Sequence, residues 1–227
     1  MRPSTPIHRV KVWDLPTRLF HWVLVLLIVA LGVSGQLGRL NVHMLLGPAV
    51  IALILFRLIW GMIGSETARF SHFVRGPKSV LAYLAAARHG AVRSVGHNPL
   101  GAFSVLALLS LVLVQGVTGL FTSDDILSQG PLAHLLSSKD VALLSSLHRI
   151  GFKLLLAFIA VHLAAVLFYR LVKKDDMIRA MITGEKQVPD GVEGIRFRHP
   201  LLALAALVIA CLVVWGGLAL APEAPAF

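Results

Sequence analysis

The sequence predicts an all-α integral membrane protein, a four-helix transmembrane bundle followed by a fifth C-terminal transmembrane helix. Three observations carry that prediction. Hydrophobic residues make up 57% of the 227-residue chain and charged residues 14%, with a mean hydropathy of +0.81. These values lie outside the range of ordinary soluble domains. Five stretches are each long and apolar enough to cross about 30 Å of hydrocarbon. The basic residues also fall almost entirely on one side of those stretches, the bias that orients membrane proteins.

The spans are expected at residues 19–37, 41–61, 100–122, 145–171 and 200–220. The first follows a basic segment but lacks a small-residue cleavage site of the Ala-x-Ala kind, so it reads as a retained helix and not a removed signal peptide. Arg2, Arg9, Lys11 and Arg18 precede it. Arg57, Arg69, Arg75, Lys78, Arg88 and Arg93 lie at or beyond the far end of the second span. Arg170, Lys173, Lys174, Arg179, Lys186, Arg196 and Arg198 stand between the fourth and fifth. Seventeen of the 21 basic residues thus share one side. The positive-inside rule then places the N-terminus in the cytoplasm and the C-terminus in the periplasm of a bacterial inner membrane. Topology accounts for the net charge of +10, and no nucleic-acid partner is expected.

Between spans two and three, residues 77–88 (PKSVLAYLAAAR) read as a short interfacial helix opening on Pro77. The outer segment 123–145 carries Asp124, Asp125 and Asp140 against one lysine, a soft docking surface or simply a solvated loop. The fifth span has neither an interior charge nor a histidine and reads as peripheral. Two parts are therefore expected: a bundle over residues 1–185, and a linker with the extra helix over 186–227. The single cysteine, Cys211, lies in an apolar run, so there is neither a disulfide framework nor a thiolate metal site.

Histidines supply the chemistry. His148 and His162 occupy the fourth span fourteen residues apart. That spacing is roughly 21 Å along a helix at about 1.5 Å per residue, and only about 40° around its axis. Ionisable groups inside a membrane are costly and are functional candidates by default. By topology, His21 in span one sits near the inner surface and can face His162, while His43 in span two sits at the outer end and can face His148. Each pair can clamp one iron axially from opposite helices. Bis-imidazole ligation leaves iron no open position and suits electron transfer. With no Cys-x-x-Cys-His in the chain, two haem b groups would be held by ligation alone. Hydrogen-bonded bundle histidines are the structural alternative. Arg149 and Lys153 are placed to pair with outer propionates, or else to snorkel to headgroups. Arg57 is placed for an inner propionate, or else to snorkel inward. Gly32, Gly35, Gly47, Gly116, Gly119 and Gly151 give close approach for a macrocycle or for neighbouring helices. His8, His72, His89 and His134 read as solvated loop residues, and His97 and His199 as interfacial anchors.

With these residues placed, the chain resembles the bacterial cytochrome b561 family, which includes the b-type cytochrome subunit of nickel–iron hydrogenases. The resemblance rests on residues 12–22 (VWDLPTRLFHW), 42–64 (VHMLLGPAVIALILFRLIWGMIG), 68–73 (ARFSHF), 96–101 (GHNPLG) and the span-four histidine pair. It implies a membrane di-haem cytochrome passing electrons between the quinone pool and a redox partner, such as a periplasmic c-type cytochrome. It also implies, by position, the ligands His21, His43, His148 and His162. The fifth span departs from the simplest family pattern. Superoxide oxidation coupled to ubiquinone reduction is the enzymatic alternative, with Arg149 and Lys153 as an anion funnel. A haem-free anchor or transport subunit is the other. A quinone site needs a polar notch, either around Asp14, Arg18 and His97 or around Arg149 and Lys153; Asp14 and Arg18 also have the spacing of a plain i, i+4 ion pair.

Overall fold

A computed structural model describes residues 7–89, 96–124, 128–189 and 195–223. Arg2, Arg93 and Asp125, invoked above for topology and docking, lie outside them. The protein is mostly helical. Strand β1 (Ile7–Lys11) is followed by helices α1 (Leu15–Gln36), α2 (Leu40–Ile63), α3 (Phe70–Phe73), α4 (Pro77–His89), α5 (Pro99–Gly119), α6 (Ser138–Leu171) and α7 (Met177–Thr183), then by strand β2 (Glu185–Pro189) and helix α8 (Pro200–Ala219). Helices α1, α2, α5, α6 and α8 are each long and apolar enough to cross a membrane. Exposed apolar side chains such as Leu26, Leu45 and Val161 run along them, a surface that hydrocarbon rather than water suits.

The helix ends follow local chemistry. Gly38, at φ +66°, supplies the left-handed residue that lets α1 stop and α2 start within three residues. Helix α6 begins about two turns before the apolar run because Ser137 and Asp140 form a reciprocal cap. The Ser137 hydroxyl accepts from the Asp140 amide at 3.3 Å and donates to its carboxylate at 2.6 Å. The 77–88 helix is present as α4, one residue longer.

Two compact units divide the chain. The first comprises Met1–Leu19, Ile59–Leu106 and Ala160–Ala203. Here β1 pairs antiparallel with β2, with Ile7 opposite Pro189 and Lys11 opposite Glu185. His8 therefore lies in a strand and not a loop. Asp14, 7% exposed, accepts from the Thr17 amide (2.9 Å) and caps α1, and its second oxygen accepts from the indole of fully buried Trp60 (3.0 Å). The amides of Val12 and Trp13 donate to the carbonyl of Gly184, whose φ of +83° ends α7. Arg18 donates to the Ile182 carbonyl. At the start of α5, Asn98 caps the helix through the Gly101 amide (2.7 Å) and donates to the Tyr169 hydroxyl (2.9 Å), which in turn shares a 2.7 Å hydrogen bond with Tyr83.

Burial, reinforced by that hydrogen bond, pushes the Tyr83 phenol above its ordinary value of 10.0. A group whose folded value is raised contributes stability that is complete below the unfolded value and is lost as pH climbs past it. Unfolding midpoints are thus expected to fall above about pH 10, and Tyr83→Phe should flatten that alkaline decline. A parallel decline in wild type and variant on thermal scans between pH 8 and 11 would rule this out.

The second unit comprises Phe20–Leu58, Ala107–Ile159 and Leu204–Phe227. Its interior includes Val50, Ile54, Phe56 and Leu155, and Phe20 packs against Phe56 at 6.4 Å between ring centres. The amide of Ser123 donates to the Ser145 hydroxyl at 3.0 Å, tying the connection after α5 to α6. Of the outer acids, Asp124 accepts from the Ser128 amide (2.7 Å) and Asp140 serves the α6 cap.

Candidate functional site

Two of the histidines chosen by depth meet in the second unit. Helix α2 carries His43 three residues after its start, and α6 carries His148 ten residues in. Their ring centres are 6.1 Å apart and their planes cross at 82°. Each ring is held through Nδ1. That of His43 lies 2.9 Å from the Leu31 carbonyl oxygen, and that of His148 lies 3.0 Å from the Gln115 carbonyl oxygen. A carbonyl oxygen only accepts, so both Nδ1 atoms carry the proton and donate it. In a neutral imidazole held this way Nε2 keeps its lone pair, the form that binds a metal.

The surrounding backbone makes room for the rings. A Cβ on Gly35 would stand 3.2 Å from His43 Nδ1, and one on Gly119 would stand 3.0 Å from His148 Cε1. Gly116 and Gly151 instead accommodate Ile51 and the Gln115 side chain, so the small residues divide between site and packing. The Gln115 side-chain amide donates to the His148 carbonyl (2.9 Å), fastening α5 to α6 beside the pair.

The spacing tests what the pair can hold. Metal–imidazole bonds of about 2.0–2.1 Å, each extended by roughly 1.1 Å from nitrogen to ring centre, put two trans-axial rings about 6.3 Å apart. The observed 6.1 Å fits. Among the described residues no group of three or more His, Cys, Asp or Glu converges as a metal-ligand set. His43 and His148, with ring centres 6.1 Å apart, would be the residues to hold a metal whose remaining donors come from its own macrocycle, as in haem, which would supply one-electron transfer there.

Sequence comparison agrees with that chemistry. Residues 12–184 match the model of the prokaryotic cytochrome b561 family. The chain belongs to that family. It is similar to probable Ni/Fe-hydrogenase B-type cytochrome subunits from three bacteria. The Rhizobium leguminosarum bv. viciae protein is 22% identical, over 80% of this chain and 90% of the relative. The Azotobacter chroococcum mcd 1 protein is 26% identical over the same shares. The Bradyrhizobium diazoefficiens protein is 25% identical, over 80% and 87%. The resemblance read from the motifs is thus borne out. As a cytochrome b561 family member with five apolar helices, the protein is a multi-pass membrane protein of a b-type cytochrome family, for which haem b and electron transport are the implied cofactor and role.

His21, in α1, belongs to the second unit and packs edge-on to Trp22 at 4.9 Å. His162, half-buried in α6, belongs to the first. Arg57 is 2% exposed, so it does not snorkel. Arg149 and Lys153 are exposed, and Arg149 donates to the Ser146 hydroxyl at 3.2 Å. Asp14 and Arg18 serve α1 and the α7 end as described, instead of pairing with each other. His97 is packed between Trp13 and Phe73 at 4.7 and 4.4 Å. His72 pairs with Glu66 (3.3 Å), His134 bonds the Pro222 carbonyl (2.8 Å), and His199 accepts the Leu201 amide at the start of α8 (3.3 Å). His89 ends α4.

Sequence reading missed Thr118 and Gln115. Both lie beside His148, and the Thr118 hydroxyl oxygen is 3.2 Å from its Nδ1. A signal existed: Gln115 is the one amide side chain in the third apolar span (100–122), and Thr118 follows it three residues later.

Proposed function

We propose that this chain is a membrane di-haem b-type cytochrome that transfers electrons between the quinone pool and a redox partner at the periplasmic face. The observation that carries the reading is the His43–His148 pair, with its 6.1 Å spacing and both Nδ1 atoms committed to carbonyls. In this reading His43 and His148 hold the outer haem iron. His21 and His162 hold the inner one, a pairing that rests on sequence depth and family resemblance. When bound, haem b supplies reversible one-electron transfer. His43 and His148 would hold the iron through Nε2, with Nδ1 committed to the Leu31 and Gln115 carbonyls. Arg57, Arg149 and Lys153 are the cations assigned to the propionates, and the burial of Arg57 favours it most. The bundle spans residues 1–185, with 186–227 adding a linker and the fifth helix. The N-terminus is cytoplasmic and the C-terminus periplasmic in a bacterial inner membrane.

The relatives are named as hydrogenase subunits, which supports a protein partner as electron donor or acceptor. The test is haem per polypeptide in the detergent-purified protein, by pyridine haemochrome with a reduced-minus-oxidised spectrum, followed by reduction with a quinol. About two low-spin b haems, reducible by quinol, are expected. A well-folded preparation without haem would overturn the reading. Turnover of superoxide with ubiquinone by the isolated protein would replace it with the enzymatic alternative.

A further inference from the structure

The His148 ring is restrained more than a metal ligand requires. Its Nδ1 is 3.0 Å from the Gln115 carbonyl and also 3.2 Å from Thr118 Oγ1. The Thr118 hydroxyl lies 2.7 Å from the Val114 carbonyl and 3.1 Å from that of Gln115. Its proton goes to the nearer, Val114, because the histidine proton already occupies Nδ1. The threonine oxygen is then left to accept. The Nδ1–H of His148 is therefore shared between two acceptors, both on α5, and the ring cannot turn about its Cβ–Cγ bond without losing one of them. Gly119, next in sequence, lets the Nδ1–Cε1 edge of the ring approach, with Cε1 3.0 Å from where a Cβ would stand. His43 has one acceptor, Leu31, and sits against Gly35. Two rings clamped from different helices are thereby held at 82° to each other.

We propose that Thr118 is a positioning residue that fixes the plane of His148 and so sets the electronic character of the iron held by His43 and His148. The inference rests on the haem ligation proposed above. Axial imidazoles with perpendicular planes donate into both iron dπ orbitals alike and keep them nearly degenerate. Rotation toward parallel splits those orbitals and lowers the largest g value of the ferric low-spin ion. Separately, a hydrogen bond accepted from the distal N–H makes a ligating imidazole more basic and favours the ferric state.

The experiment is EPR and redox titration of the purified holoprotein carrying Thr118→Val, with Thr118→Ser alongside. In Thr118→Val the two haems should be retained, the lowest-field ferric signal should move to higher field, and the potential of that same haem should become more positive. Thr118→Ser keeps the hydroxyl and should restore the wild-type spectrum. Unchanged signal and potential in Thr118→Val would overturn the proposal, as would an equal shift in Thr118→Ser. If Thr118→Val does not fold, Gly119→Ala serves, because its new methyl group must push the His148 ring. The same signal should then shift, and an unmoved one would overturn the proposal. Failure of the ligation itself reads differently, as wild-type haem content in both His43→Ala and His148→Ala.

Discussion

Replacing His148 with alanine is expected to remove one b haem per chain and to leave a second with its spectrum and potential unchanged. The expectation follows from the donor set. The ring centres of His43 and His148 are 6.1 Å apart, and among the described residues no third His, Cys, Asp or Glu joins them to substitute. With the His148 imidazole gone, His43 alone would remain to hold the haem, beside a cavity the size of the lost ring. His43→Ala should give the same product, and the double variant should lose no more than either single one, the non-additivity expected of residues acting as a unit. His162→Ala should remove the other haem and spare this one. His134→Ala is the control, because His134 is bonded to the Pro222 carbonyl near the C-terminus and should leave the haem spectrum untouched. Wild-type haem content in both His148→Ala and His162→Ala would show that the ligands are elsewhere.

That His43 and His148 lie close together, with ring centres 6.1 Å apart, was legible because two strong regularities intersect. Hydrophobic length locates the spans, and the one-sided distribution of Lys and Arg orients them, so each histidine acquires a depth from sequence position alone. Span existence was equally legible, with boundaries that moved for identifiable reasons. Helix α6 gained its first two turns from the Ser137–Asp140 cap, which belongs to a polar stretch that hydropathy assigns to a loop. The β1–β2 pair could not be read. Each strand has five residues, and its partner lies far along the chain. Short non-local pairing of that kind leaves little trace in local pattern. Thr118 was missed for a related reason. A hydroxyl in an apolar span usually bonds back to its own helix, as Thr118 also does to Val114, and only the packing of α6 brings His148 to its free side.

Asp14 shows how a residue that looks chemical in sequence can be structural in the fold, and it carries the largest stability effect expected here. The motif that contains it reads as a polar notch because the carboxylate stands four residues before Arg18 at an apolar boundary. In the folded chain both of its oxygens are committed to α1 and to Trp60, 46 residues away. Removing an N-cap costs about 0.5–2 kcal/mol, and a hydrogen bond to a charged group contributes about 1.5–3 kcal/mol. Asp14→Ala should therefore destabilise the protein by about 2–5 kcal/mol, read as a lower unfolding midpoint in detergent. Asp14→Asn can still cap α1, but its amide group turns a donor toward the indole N–H. Its cost should fall on the Trp60 contact alone, about 1.5–3 kcal/mol. Trp60→Phe removes that donor, so the cost of Asp14→Asn should shrink in the Trp60→Phe background, and a double-mutant cycle would isolate the coupling. Haem content per folded chain should stay at the wild-type level throughout. If Asp14→Ala instead unfolds at the wild-type temperature while reduction by quinol is lost, the carboxylate serves the quinone, and the cap and the indole contact contribute little.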